Sequence, residues 1–159
     1  MGLPRVLAIM GSGEIAPAMT KVHRELFARL DAARTGREPA SAVLLDTPYR
    51  FQENAARLSE RTVEHFRASL GRELRVASFG AEDAGEPGAA AERAVALIER
   101  APYLFSGPGS PSYALGAWRD SPIPEAIEAR LRRGGVVTVA SAAALTFGRR
   151  TIPVYEIYK

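Results

Sequence analysis

The chain has 159 residues, of which 47% are hydrophobic and 25% are charged, and its formal net charge is +3 at pH 7. This length and composition are typical of one globular domain with a substantial core. The charge excess is small and the arginines are spread along predicted helices, so we expect no nucleic-acid partner. No apolar run has the length of a membrane span, and the first residues lack the layout of a signal peptide. We therefore expect no membrane partner.

Cysteine is absent from the sequence. Its absence excludes disulfides, thiolate metal sites and a cysteine nucleophile. The two histidines, His23 and His65, are too few and too far apart to form a structural zinc site, so we expect no metal. A chain without cysteine also fits a cytoplasmic location, which we adopt as the expectation.

Apolar runs and helical periodicity alternate along the chain. Strands are predicted at 6–10, 42–45, 74–79, 103–106 and 136–139, with helices at 16–33, 51–70, 89–100, 112–119 and 124–133. A further extended segment is predicted at 151–155. Because strands alternate with helices, we predict one α/β domain over residues 1–159, in which helices cover both faces of a doubly wound, mostly parallel sheet.

Ligands of such sheets bind beyond the carboxyl ends of the strands. Four predicted loops share that edge: 11–14, 46–50, 107–111 and 140–142. The first resembles the start of a dinucleotide fingerprint, but Ala16 occupies the position of its third glycine, so a tight turn is favoured over a nucleotide site. The third loop is either a plain turn or a set of backbone donors for an anionic transition state. Pro108 has no N–H, so Gly107, Gly109 or Ser110 would have to donate.

Ser141 lies between the last buried strand and a run of three alanines. One interpretation is a nucleophile held on a sharp turn with its hydroxyl clear of the backbone. The other is a helix N-cap, which these residues alone favour. Fifteen residues later, Glu156 is either a surface carboxylate or the acid of a Ser-His-acid triad. His23 and His65 lie inside predicted helices, and we interpret both as partly exposed helix residues rather than general bases.

Five sequence motifs occur in order: 10–14, 45–48 with 51–55, 107–110 with Tyr113 and Leu115, the turn at Ser141, and 154–159. As an ordered set they resemble the serine peptidase family of dipeptidase E and cyanophycinase. That family has the class I glutamine amidotransferase-like fold, which is a flavodoxin-like α/β fold.

The resemblance implies that Ser141 is the nucleophile and Glu156 the triad acid. It implies an oxyanion hole formed by the N–H groups of Ala142 and Gly109. Gly107, Ser110 and Arg50 are the expected substrate contacts, and Arg50 would suit an acidic side chain. The implied substrate is a small peptide, hydrolysed through an acyl-enzyme without a cofactor.

The sequence departs from the family pattern at three places. Val139 and Ala143 occupy the two glycine positions of the usual Gly-x-Ser-Ala-Gly turn, and Pro108 replaces a frequent glycine. The catalytic histidine of the family lies beyond the segment that ends here at Lys159. We therefore expect this chain to lack the C-terminal portion of the domain and to be almost inactive by itself. Self-association as a homo-oligomer is a further expectation, and a non-catalytic binding domain is the alternative function.

Overall fold

The computed structural model describes residues 2–35, 38–84 and 88–153. The strands are β1 (Arg5–Met10), β2 (Ala42–Leu45), β3 (Leu74–Ala77), β4 (Tyr103–Ser106) and β5 (Gly135–Ala140). The helices are α1 (Pro17–Ala32), α2 (Ala55–His65), α3 (Ala89–Arg100), α4 (Pro111–Arg119), α5 (Ile123–Arg133) and α6 (Ala142–Leu145).

The five strands form one parallel sheet in the order β1-β5-β4-β2-β3. Every residue of β2, β4 and β5 is buried, as expected for parallel strands covered on both faces. One core cluster joins the sheet to α1 and the end of α2, and a second joins its other face to α3, α4 and α5. The predicted fold class is confirmed.

Two predicted boundaries are wrong by more than one residue, both after the second strand. Helix α2 begins at Ala55 rather than at residue 51, because Thr47–Tyr49 forms a separate 3-10 turn around Pro48. Strand β3 ends at Ala77, since the N–H of Phe79 donates to the Asp46 carboxylate instead of continuing the ladder. The last turn of α2 widens into a π-helix over Phe66–Leu70. Residues 151–153 lie in neither a strand nor a helix, and residues 154–155 lie outside the described part.

Strand β1 lies at one edge of the sheet, where it pairs with β5. Leu7 and Ile9 extend from the face that carries α3, α4 and α5, and they are 43% and 63% exposed. The homo-oligomer expected from the sequence stays a prediction. No helix in the described ranges is long and apolar enough to cross a bilayer.

Candidate active site

Four loops meet at the carboxyl edge of the sheet, as the alternation of strands and helices predicts. Backbone hydrogen bonds join them: Ser141 N–H to Gly11 O (2.8 Å) and Met10 O (3.2 Å), Ala143 N–H to Gly107 O (3.2 Å), and Ser110 N–H to Pro48 O (2.7 Å). The turn around Ser141 is therefore fixed on one side by the loop after β1 and on the other by the loop after β4.

Ser141 has φ 50° and ψ −119°, and it is the one non-glycine residue with positive φ among those that the structure describes. Such a backbone costs about 1–3 kcal/mol, so its surroundings must hold it in place. The hydroxyl makes no capping hydrogen bond to α6, and the residue is half-buried. The N-cap interpretation that the sequence favoured is wrong, because a cap residue has ordinary extended angles and a bonded side chain.

Val139 and Ala143, which replace the two glycines of the family turn, are 1% and 0% exposed. Both belong to the core cluster beneath α3, α4 and α5. Their side chains therefore pack into the core on either side of Ser141, and the sharp turn forms without glycine at these positions.

The turn after β4 requires glycine at position 109. Gly109 has φ 137°, and a β-carbon there would lie 1.9 Å from the carbonyl oxygen of Pro48. Within the described ranges, the N–H groups of Gly109 and Ala142 donate to no acceptor. These are the two backbone donors that the family resemblance implies for an oxyanion hole.

The other predicted substrate contacts lie on the same two loops. Gly107 is buried beneath the turn, and the Ser110 hydroxyl accepts a hydrogen bond from Tyr113 N–H (3.1 Å), which caps α4. Arg50 follows the 3-10 turn, and its Nε lies 3.6 Å from Glu82 Oε1. The Tyr113 hydroxyl donates to Glu82 Oε2 (3.0 Å). Substrate binding by Gly107, Ser110 and Arg50 stays a prediction.

Asp46 ends β2 beneath the crevice and is 4% exposed. Its carboxylate accepts hydrogen bonds from Ser78 Oγ (2.7 Å) and Phe79 N–H (3.1 Å). Burial raises the pKa of Asp46, and the two hydrogen bonds oppose that rise. This carboxylate ties β2 to the end of β3, which is a structural role.

His23 is completely buried, so its interpretation as a partly exposed residue is wrong. Its Nε2–H donates to the backbone oxygen of Glu14 (2.8 Å), and its Nδ1 accepts from the Tyr103 hydroxyl (2.7 Å). Tyr103 in turn accepts from Thr138 Oγ1 (3.0 Å). Both ring nitrogens are bonded to residues outside α1. The helical periodicity of α1 alone therefore could not predict that His23 is buried.

His65 ends α2 and is half-buried, with its Nδ1 3.5 Å from Ser69 Oγ. Both histidines of the sequence are thus bonded on α1 and α2 and not at the Ser141 turn. Glu156, the predicted triad acid, lies outside the described residues. Within the described part of the chain, no three carboxylates or histidines converge on a possible metal site.

The sequence did not single out Glu14 as a site residue. It is 8% exposed, and a β-carbon placed on Gly107 would lie 3.7 Å from its Oε1. The signal that could have found it is an acidic residue next to the glycines of the loop after β1.

No family model and no curated protein matches the sequence. The solved structures that resemble the chain include two for which the comparison covers 87% of it. A peptidase from an acI-B1 actinobacterium is 24% identical with a TM-score of 0.70, and 55% of that chain is covered. A candidate peptidase E protein from Listeria monocytogenes EGD-e is 13% identical with a TM-score of 0.55, and 59% of that chain is covered.

The chain has the fold of these two proteins. Both carry peptidase names, which agrees with the family that the motifs resemble. At 24% and 13% identity the likeness establishes the fold, and the chain spans little more than half the length of either protein.

Proposed function

We propose that this chain carries the nucleophile of a serine peptidase similar to dipeptidase E and cyanophycinase. The observation that carries the proposal is the backbone of Ser141, a half-buried serine held at φ 50° between a buried strand and a helix. Strained non-glycine residues of this kind cluster at functional sites. A serine on a strand-to-helix turn is the arrangement that presents Oγ to a substrate in serine hydrolases.

In the proposed reaction, Ser141 Oγ attacks the carbonyl carbon of a short peptide. The N–H groups of Ala142 and Gly109 stabilise the oxyanion that forms, and each such donor contributes about 3 kcal/mol in known hydrolases. A base takes the proton of the Ser141 hydroxyl and passes it to the peptide nitrogen, which leaves as an amine when its bond to the carbonyl carbon breaks. Water then hydrolyses the acyl-enzyme and restores the serine hydroxyl. Glu156 is the proposed acid that orients the base.

A serine hydroxyl is a weak nucleophile without an adjacent base. Neither histidine of this chain hydrogen-bonds Ser141: His23 is held in the core by Glu14 and Tyr103, and His65 lies at the end of α2 beside Ser69. The resemblance to that family implies a histidine as the base, and no histidine of this chain fills that role in the arrangement described here. We therefore propose that Ser141 of this chain reacts slowly by itself and that an added base accelerates the reaction.

The test is the rate at which a fluorophosphonate labels the purified chain, followed by intact mass spectrometry. We expect slow labelling that accelerates on addition of imidazole, because the free base can take the proton of the Ser141 hydroxyl. Ser141→Ala should not react, whereas Ser121→Ala, altered outside the four loops, should react like the wild type. Rapid labelling without imidazole would contradict the proposed need for a further base.

The alternative is a non-catalytic binding domain on the same fold. The observation in its favour is that neither histidine of the chain lies at the Ser141 turn. Absence of an adduct in the presence of imidazole would favour this alternative.

A further inference from the structure

A cavity of about 410 Å³ lies between α1 and the end of α2. Its lining residues are Ile15, Pro17, Thr20, Lys21, Arg24, His65 and Ser69. Among the described residues that line it, three carry basic side chains and none carries a carboxylate. None of them belongs to the four loops of the crevice. The volume is that of a small-molecule site, and the charge favours an anion.

The cations of this cavity are not neutralised by neighbouring carboxylates. Lys21 and Arg24 are exposed, and within the described ranges neither joins an ion pair. The acidic residues next to Arg24 and His65 in the sequence are paired with other arginines: Glu25 with Arg29 (3.1 Å) and Glu64 with Arg67 (2.8 Å). The positive charge of Lys21 and Arg24 is therefore available to a ligand.

Arg24 is held in place across the gap between α1 and the turn that follows α2. Its Nη2–H donates to the backbone oxygen of Ser69 at 2.8 Å. Ser69 lies in the π-helix at Phe66–Leu70, and short π-helical turns of this kind occur frequently at functional sites. Because the guanidinium is already oriented, a ligand that binds there has little more of the side chain to order.

His65 forms another part of the cavity wall. Its Nε2 is buried and has no hydrogen-bond partner among the described residues, and its Nδ1 lies 3.5 Å from Ser69 Oγ. Burial lowers the pKa of His65, because the charged ring is poorly solvated there. An anion in the cavity would favour the charged ring. The protonation of His65 therefore reports whether the cavity is occupied.

We propose that this cavity binds a phosphate group, either as the free dianion or as part of a small phosphate ester. A phosphate group carries about two negative charges and offers several acceptor oxygens. It would pair with Lys21 and Arg24 together, whereas a single carboxylate balances only one of them. Thr20 and Ser69 add hydroxyl groups to the lining, and two apolar residues offer contact to the organic part of an ester. Binding at this cavity is independent of the proposed peptidase reaction.

The test is an NMR titration of the histidine ring signals of the isotope-labelled chain with inorganic phosphate, at constant ionic strength. We expect a saturable shift of the His65 signals and, at saturation, a rise of about one pH unit in the pKa of His65. Lys21→Ala and Arg24→Ala should each weaken binding about tenfold, the effect of losing one charge-assisted hydrogen bond. Arg119→Ala is the matched control and should leave the affinity unchanged. It removes an exposed arginine of α4 that likewise joins no ion pair in the described part of the chain.

A second titration with phenyl phosphate distinguishes the two forms of the ligand. Tighter binding of the ester assigns the cavity to a phosphorylated small molecule, and equal or weaker binding assigns it to free phosphate. Thermal unfolding supplies an independent readout, since phosphate should raise the Tm of the wild type and not that of a variant with both Lys21→Ala and Arg24→Ala.

The absence of a saturable shift, or the same shifts on addition of sodium chloride alone, would overturn the assignment. An equal loss of affinity in Arg119→Ala and Lys21→Ala would overturn it as well, because binding would then follow net charge and not the cavity. Saturable binding without a change in the pKa of His65 would place the phosphate at another site and refute the role of this one.

Discussion

Gly109 and Pro48 are in backbone contact at the centre of the crevice. A β-carbon on Gly109 would lie 1.9 Å from the Pro48 carbonyl oxygen, and the neighbouring Ser110 N–H donates to that same oxygen at 2.7 Å. The loop after β2 therefore packs in direct backbone contact with the turn after β4. This contact aligns the turn next to Ser141.

Gly109→Ala should lower the free energy of unfolding by about 2–4 kcal/mol, because it adds a backbone clash to a φ of 137° that alanine rarely adopts. Urea denaturation measures the change. The matched control is Gly116→Ala in α4, where a β-carbon would meet nothing within 4 Å. That substitution should raise stability by up to about 1 kcal/mol. Equal stability of the two variants would contradict the described contact.

Ser141→Gly should be more stable than Ser141→Ala by about 1–2 kcal/mol. Glycine adopts φ 50° and ψ −119° without strain, whereas alanine keeps the strain of serine. Both variants lack the hydroxyl, so their difference reports the relief of backbone strain, reduced by the larger conformational entropy that glycine loses on folding. If chemical denaturation gave identical midpoints and slopes for the two proteins, the turn would not be strained in solution.

Stability should fall as the pH drops below about 6.5. Burial lowers the pKa of His23 from its ordinary value of 6.5, so the unfolded chain takes up the proton before the folded chain does. The loss amounts to at most about 1.4 kcal/mol per pH unit and stops at the folded-state pKa.

Burial also lowers the pKa of His65, so a variant must separate the two histidines. His65→Gln should keep the decline below pH 6.5, because His23 is completely buried. Thermal unfolding followed at several pH values measures it. A decline that disappears in His65→Gln would show that His23 is not the group responsible.

Tyr103→Phe should cost about 1–3 kcal/mol of folding free energy. The change leaves His23 Nδ1 without a donor and Thr138 Oγ1 without an acceptor, both inside the core. Tyr113→Phe is the control, since that hydroxyl bonds Ala81 and Glu82 at an exposed position. A loss for Tyr103→Phe no larger than for Tyr113→Phe would argue against the buried chain of hydrogen bonds.

Much of the fold could be predicted because the strong signals are local. Strands β2 and β4 and helix α3 have the predicted bounds, since each is a short apolar run or a periodic run between Gly or Pro signals. The end of β3 depends on the Asp46 carboxylate, which accepts hydrogen bonds from Ser78 and Phe79. The start of α2 depends on the 3-10 turn at Thr47–Tyr49 that precedes it. Such a contact is not visible in a local pattern.

Less of the candidate site could be predicted. The meeting of the four loops follows from a parallel sheet, but the backbone angles of Ser141 do not follow from its neighbours, which equally suit a helix cap. The burial of His23 depends on Tyr103, 80 residues away.

The central claim is that Ser141 is a nucleophile, and peptide mapping of the fluorophosphonate-labelled chain tests it most directly. With imidazole present, we predict a single adduct per chain on the peptide that contains Ser141, and no adduct in Ser141→Ala. An adduct on any other serine, or an unlabelled chain after prolonged incubation, would contradict the assignment and leave the fold as the sole likeness to peptidases.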